Sequence, residues 1–235
     1  MKKGSLEIDS IRKACKITDK TFKYILPYLV EGVTEKQIVK RINKYIRKYS
    51  EGTAFKTIAA FGENSAEVHH QTPTNRKLKK GDIIMLDFGS RINGLCSDMT
   101  RTLFLGKASP EQKRMYNTVL EAQQQAIEQL NNLAIKQSVV KIKAYDIDKT
   151  AREYILLKGY PNMPHSLGHG IGRKVHSGLR LSPKSKSYLK PGMIFSVEPG
   201  IYIKDFGGAR IEDTVLLTEK GIETLTKSAK KLIEL

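Results

Sequence analysis

The sequence predicts an α/β (α+β) fold built from two similar α-α-β-β halves, with a mostly antiparallel sheet covered by helices. A repeated segment and helical periodicity ahead of each copy carry this prediction. The repeat matches residues 78–89 (LKKGDIIMLDFG) with residues 189–200 (LKPGMIFSVEPG). Each copy has an apolar run that ends in a carboxylate, Asp87 or Glu198, with a glycine two positions later. Short apolar runs bounded by glycine are typical of buried strands.

The first apolar run is followed by a turn signal at residues 91–94 (RING) and a second strand through Asp98 to Leu105. A hairpin centred on this turn would place Asp87 opposite Asp98, with their Cβ atoms about 5 Å apart. A tight two-residue turn at residues 93–94 would shift the register and place Asp98 diagonally from Asp87. Both alternatives bring the two carboxylates within reach of one ion.

The second apolar run turns back at residues 204–208 (KDFGG) and continues in a strand over residues 209–218. A hairpin centred on that turn places Glu198 opposite Glu212. The repeat therefore predicts four carboxylates at matching points of two neighbouring hairpins.

Amphipathic helices are predicted ahead of both hairpins because apolar residues recur there with the helical period. These helices cover residues 9–30 and 34–49 in the first half and residues 110–133 and 146–158 in the second. The second helix begins with Thr34 and Gln37, which form a capping-box pattern. We expect one domain over residues 1–235, with halves of about 1–107 and 108–235 and no N-terminal accessory domain.

The composition is that of an ordinary globular chain with a high positive charge. No apolar run is long enough to span a membrane and the N-terminus lacks the apolar stretch of a signal peptide, so a cytoplasmic location is predicted. Cys15 and Cys96 lie far apart and are predicted to be buried, reduced thiols. The net charge of +17 could serve nucleic-acid binding. Because the basic residues are dispersed and no aromatic stacking platform is evident, a solvated basic surface is favoured and nucleic acid is not expected as a partner.

The four carboxylates would repel one another in a low-dielectric interior, at a cost of several kcal/mol. Two divalent cations would balance their charge. Oxygen-rich ligands with one imidazole suit Mn²⁺ and could also hold Co²⁺, Zn²⁺ or Fe²⁺. The imidazole is expected from residues 165–172 (HSLGHGIG), in one of the two loop-rich segments, 69–77 and 161–190, that hold all five histidines. Taken singly, each acid could be a turn cap or a solvated strand end, but their duplication favours a shared site.

Five ordered motifs resemble those of Xaa-Pro aminopeptidases and prolidases, the pita-bread metallopeptidases that also include methionine aminopeptidase. The motifs are DFG (87–89), SDMTRT (97–102), HSLGHGIG (165–172), EPGIY (198–202) and RIEDT (210–214). The resemblance covers about residues 5–230 and is closer to the proline-directed branch than to the methionine branch. It implies a pita-bread fold and two Mn²⁺-type ions. The metal ligands that it implies are Asp87, Asp98, His169, Glu198 and Glu212.

The resemblance also implies roles in the reaction. Glu198 is predicted to be the general base and later the proton donor to the leaving imino nitrogen. His69 and His176 are predicted to contact the substrate and to assist catalysis. His165 would line the proline pocket, and Arg210 would steady that side of the site.

The sequence departs from the family pattern at some points. Larger members carry an additional N-terminal domain, which is not expected here. Residues 177–179 (SGL) stand where an acidic residue and often a proline usually follow His176. We expect changed substrate contacts there rather than lost activity. His70 matches no family role and is predicted to be a surface histidine, and Cys96 is assigned no part in catalysis.

The sequence therefore predicts a dinuclear metal-dependent exopeptidase of the Xaa-Pro aminopeptidase type, which cleaves between an N-terminal residue and proline. Its partners would be peptides with proline at the second position, and the protein would act as a monomer or homodimer. An Xaa-Pro dipeptidase or a methionine aminopeptidase stays open as an alternative. The alternative of another class is a catalytically silent pita-bread module that binds peptide or nucleic acid. Such modules typically have their metal ligands replaced, whereas all five are present here.

Overall fold

The computed structural model describes residues 4–70, 72–135 and 141–235, and Gln71 of the first histidine segment lies outside them. The first half consists of α1 (Ser5–Ile25), α2 (Glu35–Tyr49), β1 (Ile58–Phe61), β2 (Ile83–Asp87), β3 (Arg91–Ile92), β4 (Leu95–Cys96) and β5 (Thr100–Phe104). The second half consists of α3 (Pro110–Ile135), β6 (Ile142–Lys143), α4 (Ala144–Leu157), β7 (Gly168–His169), β8 (Arg180–Leu181), β9 (Tyr188–Leu189), β10 (Ile194–Val197), β11 (Gly200–Ile203), β12 (Gly207–Arg210), β13 (Asp213–Thr218) and β14 (Gly221–Thr224). The helices lie where the periodicity predicts them, with ends shifted by a few residues. Within these described ranges, no helix is long and apolar enough to cross a membrane.

Helix α2 illustrates how the local sequence determines both a helix and the face that it buries. Thr34 Oγ1 accepts a hydrogen bond from the Gln37 backbone N–H at 3.2 Å, and Gln37 Oε1 accepts one from the Thr34 N–H at 2.9 Å. This reciprocal pair confirms the predicted capping box. Ile38, Ile42 and Ile46 recur at every fourth position and are fully buried in the core shared with α1 and β1. Burial of each side chain stabilises the fold by about 1.5–3 kcal/mol.

Two antiparallel three-stranded sheets, β1-β2-β5 and β10-β13-β14, form the centre of the two halves. The duplicated apolar runs are the buried strands β2 and β10, which confirms the repeat as a structural one. In the second half, Val197 pairs with Asp213 at the end of the β10–β13 ladder. Glu198 and Glu212 adjoin this last pair on the two strands, so they lie side by side as predicted.

The first hairpin has a different register from the centred one. Strands β3 and β4 close around Asn93 and Gly94, which both have positive φ angles of 51° and 68°. This tight turn pairs Asp87 with Thr100. The prediction that Asp87 faces Asp98 is therefore wrong, and the diagonal alternative is confirmed, because the turn contains two residues rather than four.

Both cysteines are buried free thiols, as predicted. Burial raises the pKa of Cys15 and of Cys96. Neither group is therefore a thiolate at neutral pH, and both side chains serve packing.

Aromatic rings accompany the basic side of α2, which the sequence pattern did not predict. Tyr24 lies 5.2 Å from Tyr28 and 4.3 Å from Tyr45, between ring centroids, and Tyr45 lies 4.8 Å from Tyr49. The Arg41 guanidinium lies 4.1 Å from the centre of the Tyr28 ring. The rings thus pack on one another and under a cation, an arrangement that joins α1 to α2.

Candidate metal centre and active-site cleft

The five side chains predicted to bind metal converge between the two halves. They line one cleft of about 240 Å³. Asp87 ends β2, Asp98 follows β4, His169 ends β7, Glu198 follows β10 and Glu212 precedes β13. The duplicated hairpins therefore meet at their carboxylates.

The imidazole of His169 lies within this carboxylate cluster. Its Nε2 atom is 3.0 Å from Glu198 Oε1 and 3.6 Å from Asp98 Oδ2. One donor atom each from Asp98, His169 and Glu212 lie within 4.8 Å of one another, and all three residues are buried. Such a spacing suits side chains that share an ion.

Two carboxylates of the cluster each have one oxygen that accepts a hydrogen bond and one that accepts none from the described residues. Arg210 Nη2 donates to Asp87 Oδ2 at 2.8 Å, and Thr100 Oγ1 donates to Glu212 Oε2 at 2.8 Å. The other oxygens, Asp87 Oδ1 and Glu212 Oε1, are buried without a hydrogen-bond partner among the described residues. An unsatisfied buried polar atom costs about 1–3 kcal/mol, so a bound cation would relieve both. The donor set therefore fits divalent metal ions.

The pKa shifts within the cluster also favour bound cations. Burial, followed by repulsion from Glu212 and Asp87, raises the pKa of Asp98 well above its usual value. Burial and the charges of Glu198 and Asp87 likewise raise the pKa of Glu212. Burial alone would raise the pKa of Glu198 too, but the neighbouring His169 outweighs it and lowers this pKa to about 2. Without cations the cluster thus keeps some of its acids protonated, as like charges in a shared site require.

Close backbone approach explains two glycines in the motifs. A Cβ atom on Gly168 would lie 1.9 Å from the Ser196 carbonyl oxygen, and one on Gly89 would lie 1.9 Å from the Ser97 carbonyl oxygen. Gly168 lets β7 lie directly against β10, where Ser196 Oγ accepts a hydrogen bond from the His169 N–H at 3.0 Å. This contact aims the imidazole at the carboxylates.

The remaining predicted site residues, His69, His165, His176 and Arg210, also line the cleft. The His176 ring meets the His169 ring edge to face, with 4.2 Å between centroids. Burial lowers the pKa of His165, and burial together with His169 lowers the pKa of His176. Both rings are therefore neutral at neutral pH, so each can donate one hydrogen bond.

Tyr202 joins these residues although sequence reasoning gave it no role. Its hydroxyl lies 2.9 Å from His165 Nε2 and accepts a hydrogen bond from Arg210 Nη1 at 2.7 Å. Arg210 Nη1 also donates to the Val68 carbonyl at 3.1 Å. The available signal was the place of Tyr202 in the EPGIY motif, four residues after Glu198.

The prediction that His70 lies on the surface is wrong. Its side chain is 5% exposed and lies between the carboxylates of Glu35 and Glu67. The sequence gave no sign of this because Glu35 is distant along the chain and begins helix α2.

Behind the cluster lies a buried ion pair that sequence reasoning also missed. Arg101 Nη2 donates to Asp213 Oδ1 at 2.7 Å, and Arg101 Nη1 donates to the Glu212 carbonyl at 2.5 Å. The side chains of Arg101 and Asp213 are 1% and 0% exposed. Arg101 therefore holds the backbone of Glu212, whose side chain lines the cleft.

Replacing Arg101 with alanine is expected to lower the free energy of unfolding by about 3 kcal/mol, because the buried Asp213 carboxylate keeps only Lys230 as a cationic partner and the Glu212 carbonyl loses its Arg101 donor. Urea unfolding followed by circular dichroism measures this loss. Arg12→Ala is the control, since Arg12 is 43% exposed where it pairs with Glu223, and it should cost about 1 kcal/mol or less. Equal losses in the two variants would contradict the prediction.

The duplicated halves and the antiparallel sheets, which meet at the carboxylate–imidazole cluster, define a member of the pita-bread class. Residues 9–219 match metallopeptidase family M24, and the chain belongs to this family.

Individual relatives agree with this placement. The chain is 39% identical over 230 residues to the Xaa-Pro dipeptidase of Pyrococcus furiosus, covering 97% of this chain and 63% of that protein. The dipeptidase structure from Pyrococcus horikoshii OT3 has a TM-score of 0.94 at 40% identity, over 100% of this chain and 64% of that one. The X-Pro aminopeptidase structure from Thermotoga maritima MSB8 has a TM-score of 0.92 at 36% identity, over 100% and 65%. The chain therefore spans less than two thirds of the length of these relatives.

Proposed function

We propose that this chain hydrolyses Xaa-Pro dipeptides in a metal-dependent reaction. The single observation that carries the proposal is the convergence of one imidazole and four carboxylates, three buried and one partly buried, in a cleft where two carboxylate oxygens have no hydrogen-bond partner among the described residues. We propose as metal ligands Asp87, Asp98, His169, Glu198 and Glu212. Mn²⁺ suits this oxygen-rich set, and Co²⁺, Zn²⁺ and Fe²⁺ are the alternatives.

The dipeptide preference replaces the aminopeptidase specificity favoured by the sequence motifs. Similarity to the dipeptidases of two Pyrococcus species supports it, although an X-Pro aminopeptidase is nearly as similar. The size of the cleft supports it further. At about 240 Å³ the cleft is smaller than the roughly 300–1,000 Å³ that hold drug-sized ligands, which suits a short peptide.

The chemistry is divided between the ions and the side chains. Bound divalent ions would polarise the scissile carbonyl and lower the pKa of a nearby water. Glu198 is ionised in the free protein, so its carboxylate can accept the proton of the attacking water and return it to the proline nitrogen. His69 and His176 lie on the cleft wall, where their N–H groups can donate to the peptide carbonyl oxygen as negative charge develops there.

The proline side of the cleft would be formed by His165 with its neighbours. The His165 ring packs edge to face on Tyr202, with 5.5 Å between centroids, and Tyr202 is hydrogen-bonded to Arg210. This chain of contacts fixes the imidazole as a wall for an apolar ring. Arg210 also holds Asp87, so the pocket and the metal centre share one support.

A peptide panel tests the proposal. Metal-depleted protein, with and without Mn²⁺, is incubated with Xaa-Pro dipeptides, Xaa-Pro-Yaa tripeptides and Met-Ala peptides, and the released amino acids are quantified. We expect Mn²⁺-dependent cleavage of the dipeptides, with tripeptides cleaved about tenfold more slowly or not at all. Faster cleavage of tripeptides would restore the aminopeptidase specificity, and activity on Met-Ala peptides alone would overturn the proline specificity. Inactivity on all three classes would remove the enzyme proposal.

A further inference from the structure

The adjacent histidines His69 and His70 face opposite sides of their loop. His69 is exposed and lines the cleft, whereas the His70 side chain is 5% exposed and points into the protein. His70 has no part in the proposed reaction. Its contacts indicate what a buried imidazole directly beside a cleft residue holds in place.

The Glu35 carboxylate lies at the centre of the hydrogen bonds that hold His70. It is fully buried at the first turn of α2. Its Oε1 atom accepts from the Phe61 N–H at 2.9 Å and from Asn64 Nδ2 at 2.8 Å. Its Oε2 atom lies 3.0 Å from His70 Nε2 and accepts from the Thr74 N–H at 2.8 Å and from Thr74 Oγ1 at 2.7 Å. One side chain therefore ties α2 to the end of β1 and to both sides of the histidine pair.

His70 completes this arrangement through its second ring nitrogen. Nδ1 lies 2.7 Å from Glu67 Oε2, so each nitrogen faces a carboxylate. Burial alone would lower the pKa of His70, but the hydrogen bonds to Glu67 and Glu35 outweigh it and raise this pKa. An imidazolium that donates from both nitrogens spans the base of the loop as a charged cross-link.

The segment held in this way presents two groups to the cleft. His69 and Val68 both line it, and the Val68 carbonyl accepts a hydrogen bond from Arg210 Nη1 at 3.1 Å. A shift of the backbone at residues 68–70 would therefore move an imidazole and disturb a guanidinium together. Misplacement of such groups by about 1 Å can cost about 10²-fold in rate.

We propose that Glu35 and His70 are positioning residues for His69, acting together as a buried clamp that fixes residues 68–70 against the cleft. The clamp deepens the proposed peptidase function and rests on it for its effect on rate. Its structural part concerns the loop alone and can be tested without any activity.

The second half of the fold holds its own histidine loop in a comparable way. Asp148 on α4 is buried and accepts from Arg152 on the same helix and from the Leu167 N–H at 3.0 Å. Arg152 Nη2 in turn donates to the His165 carbonyl at 2.8 Å. In both halves a buried carboxylate on the second helix thus anchors a loop that brings a histidine to the cleft.

Glu35→Gln and His70→Phe test the clamp, with Glu63→Gln as the matched control. Glu63 precedes the same loop but is exposed and pairs with Arg76 rather than with His70. We expect kcat/KM for an Xaa-Pro dipeptide to fall about 10- to 100-fold in both clamp variants and to stay within about twofold in the control. In a His69→Ala background, His70→Phe should cost little further activity while lowering Tm as much as it does in the native sequence. Losses that multiply in the double variant would show that His70 does not act through His69, which would overturn the proposal.

Amide hydrogen exchange separates this inference from the proposed function. Exchange at residues 62–70 should become about tenfold faster in Glu35→Gln and His70→Phe, while residues 161–170 exchange as in the native protein. Unchanged exchange at residues 62–70 would overturn the clamp even if the protein is an active peptidase. If the native protein cleaves none of the peptides, the proposed function fails, and the exchange result still decides whether the clamp holds its loop.

Discussion

Glu212→Gln is expected to abolish metal uptake and, at the same time, to stabilise the metal-free protein. In the metal-free protein Glu212 is buried beside other acids, with one oxygen unpartnered within the described part of the chain, and its pKa is raised well above the usual value. A neutral amide of the same shape removes that repulsion. Binding of metal requires the missing negative charge, so the loss of one ligand should remove the stabilisation that ions provide.

Thermal unfolding with and without Mn²⁺ measures both effects. Native protein at a Mn²⁺ concentration of about 100 Kd should gain about 2.7 kcal/mol, which raises Tm by about 5–10 °C in a domain of this size. Glu212→Gln should show no such increase. Its metal-free Tm should exceed the native one by about 2–4 °C, the change expected for 1 kcal/mol. Glu219→Gln, an exposed acid shortly after on the chain, is the control and should behave like the native protein.

The pH dependence of the metal-free protein provides a second measurement. Since the pKa values of Asp98 and Glu212 are raised in the folded state, the folded protein binds more protons than the unfolded chain. The contribution of these two groups to stability is then greatest below the ordinary carboxyl pKa and is lost as pH rises through the raised values. Glu212→Gln should flatten this decline. A Tm increase with Mn²⁺ in Glu212→Gln equal to the native one would contradict the assignment of Glu212 as a ligand.

The carboxylate cluster could be predicted because the repeat that specifies it lies in two short segments of the sequence. Short apolar runs bounded by glycine specify β2 and β10, and each run carries its acid at a fixed position. The exact partner of Asp87 was harder to predict. One choice between a two-residue and a four-residue turn changes every pair in the hairpin, and only the φ angles at Asn93 and Gly94 decide it.

The residues that hold the site in place could not be predicted, because each of their interactions joins residues far apart in sequence. Glu35 begins a helix, where an acid is already favoured by the helix dipole, so its sequence position suggests an exposed residue. Its burial follows only from the return of residues 61–74 over the start of α2. Arg101 and Asp213 likewise belong to separate motifs in different halves and meet only when β5 and β13 lie together. Local patterns therefore predicted the side chains that converge in the cleft, but not the groups that hold them there.

Glu198→Gln is expected to lower kcat about 10³-fold, equal to about 4 kcal/mol of transition-state stabilisation, because the amide cannot accept the proton of the attacking water. KM should change little, since the groups proposed to hold the peptide are untouched. These groups are His69, His165, His176 and Arg210. Steady-state kinetics on an Xaa-Pro dipeptide in saturating Mn²⁺ measures both constants.

The comparison with Glu212→Gln distinguishes a proton acceptor from a simple ligand. Glu198→Gln leaves intact the close group of Asp98, His169 and Glu212, from which Glu212→Gln removes one ligand, so Mn²⁺ should still raise the Tm of Glu198→Gln. Loss of both the rate and the Tm increase in Glu198→Gln would mean that its carboxylate serves only to hold the ions. A retained Tm increase with a collapsed kcat instead assigns proton transfer to Glu198, whose ionised state follows from its contact with His169.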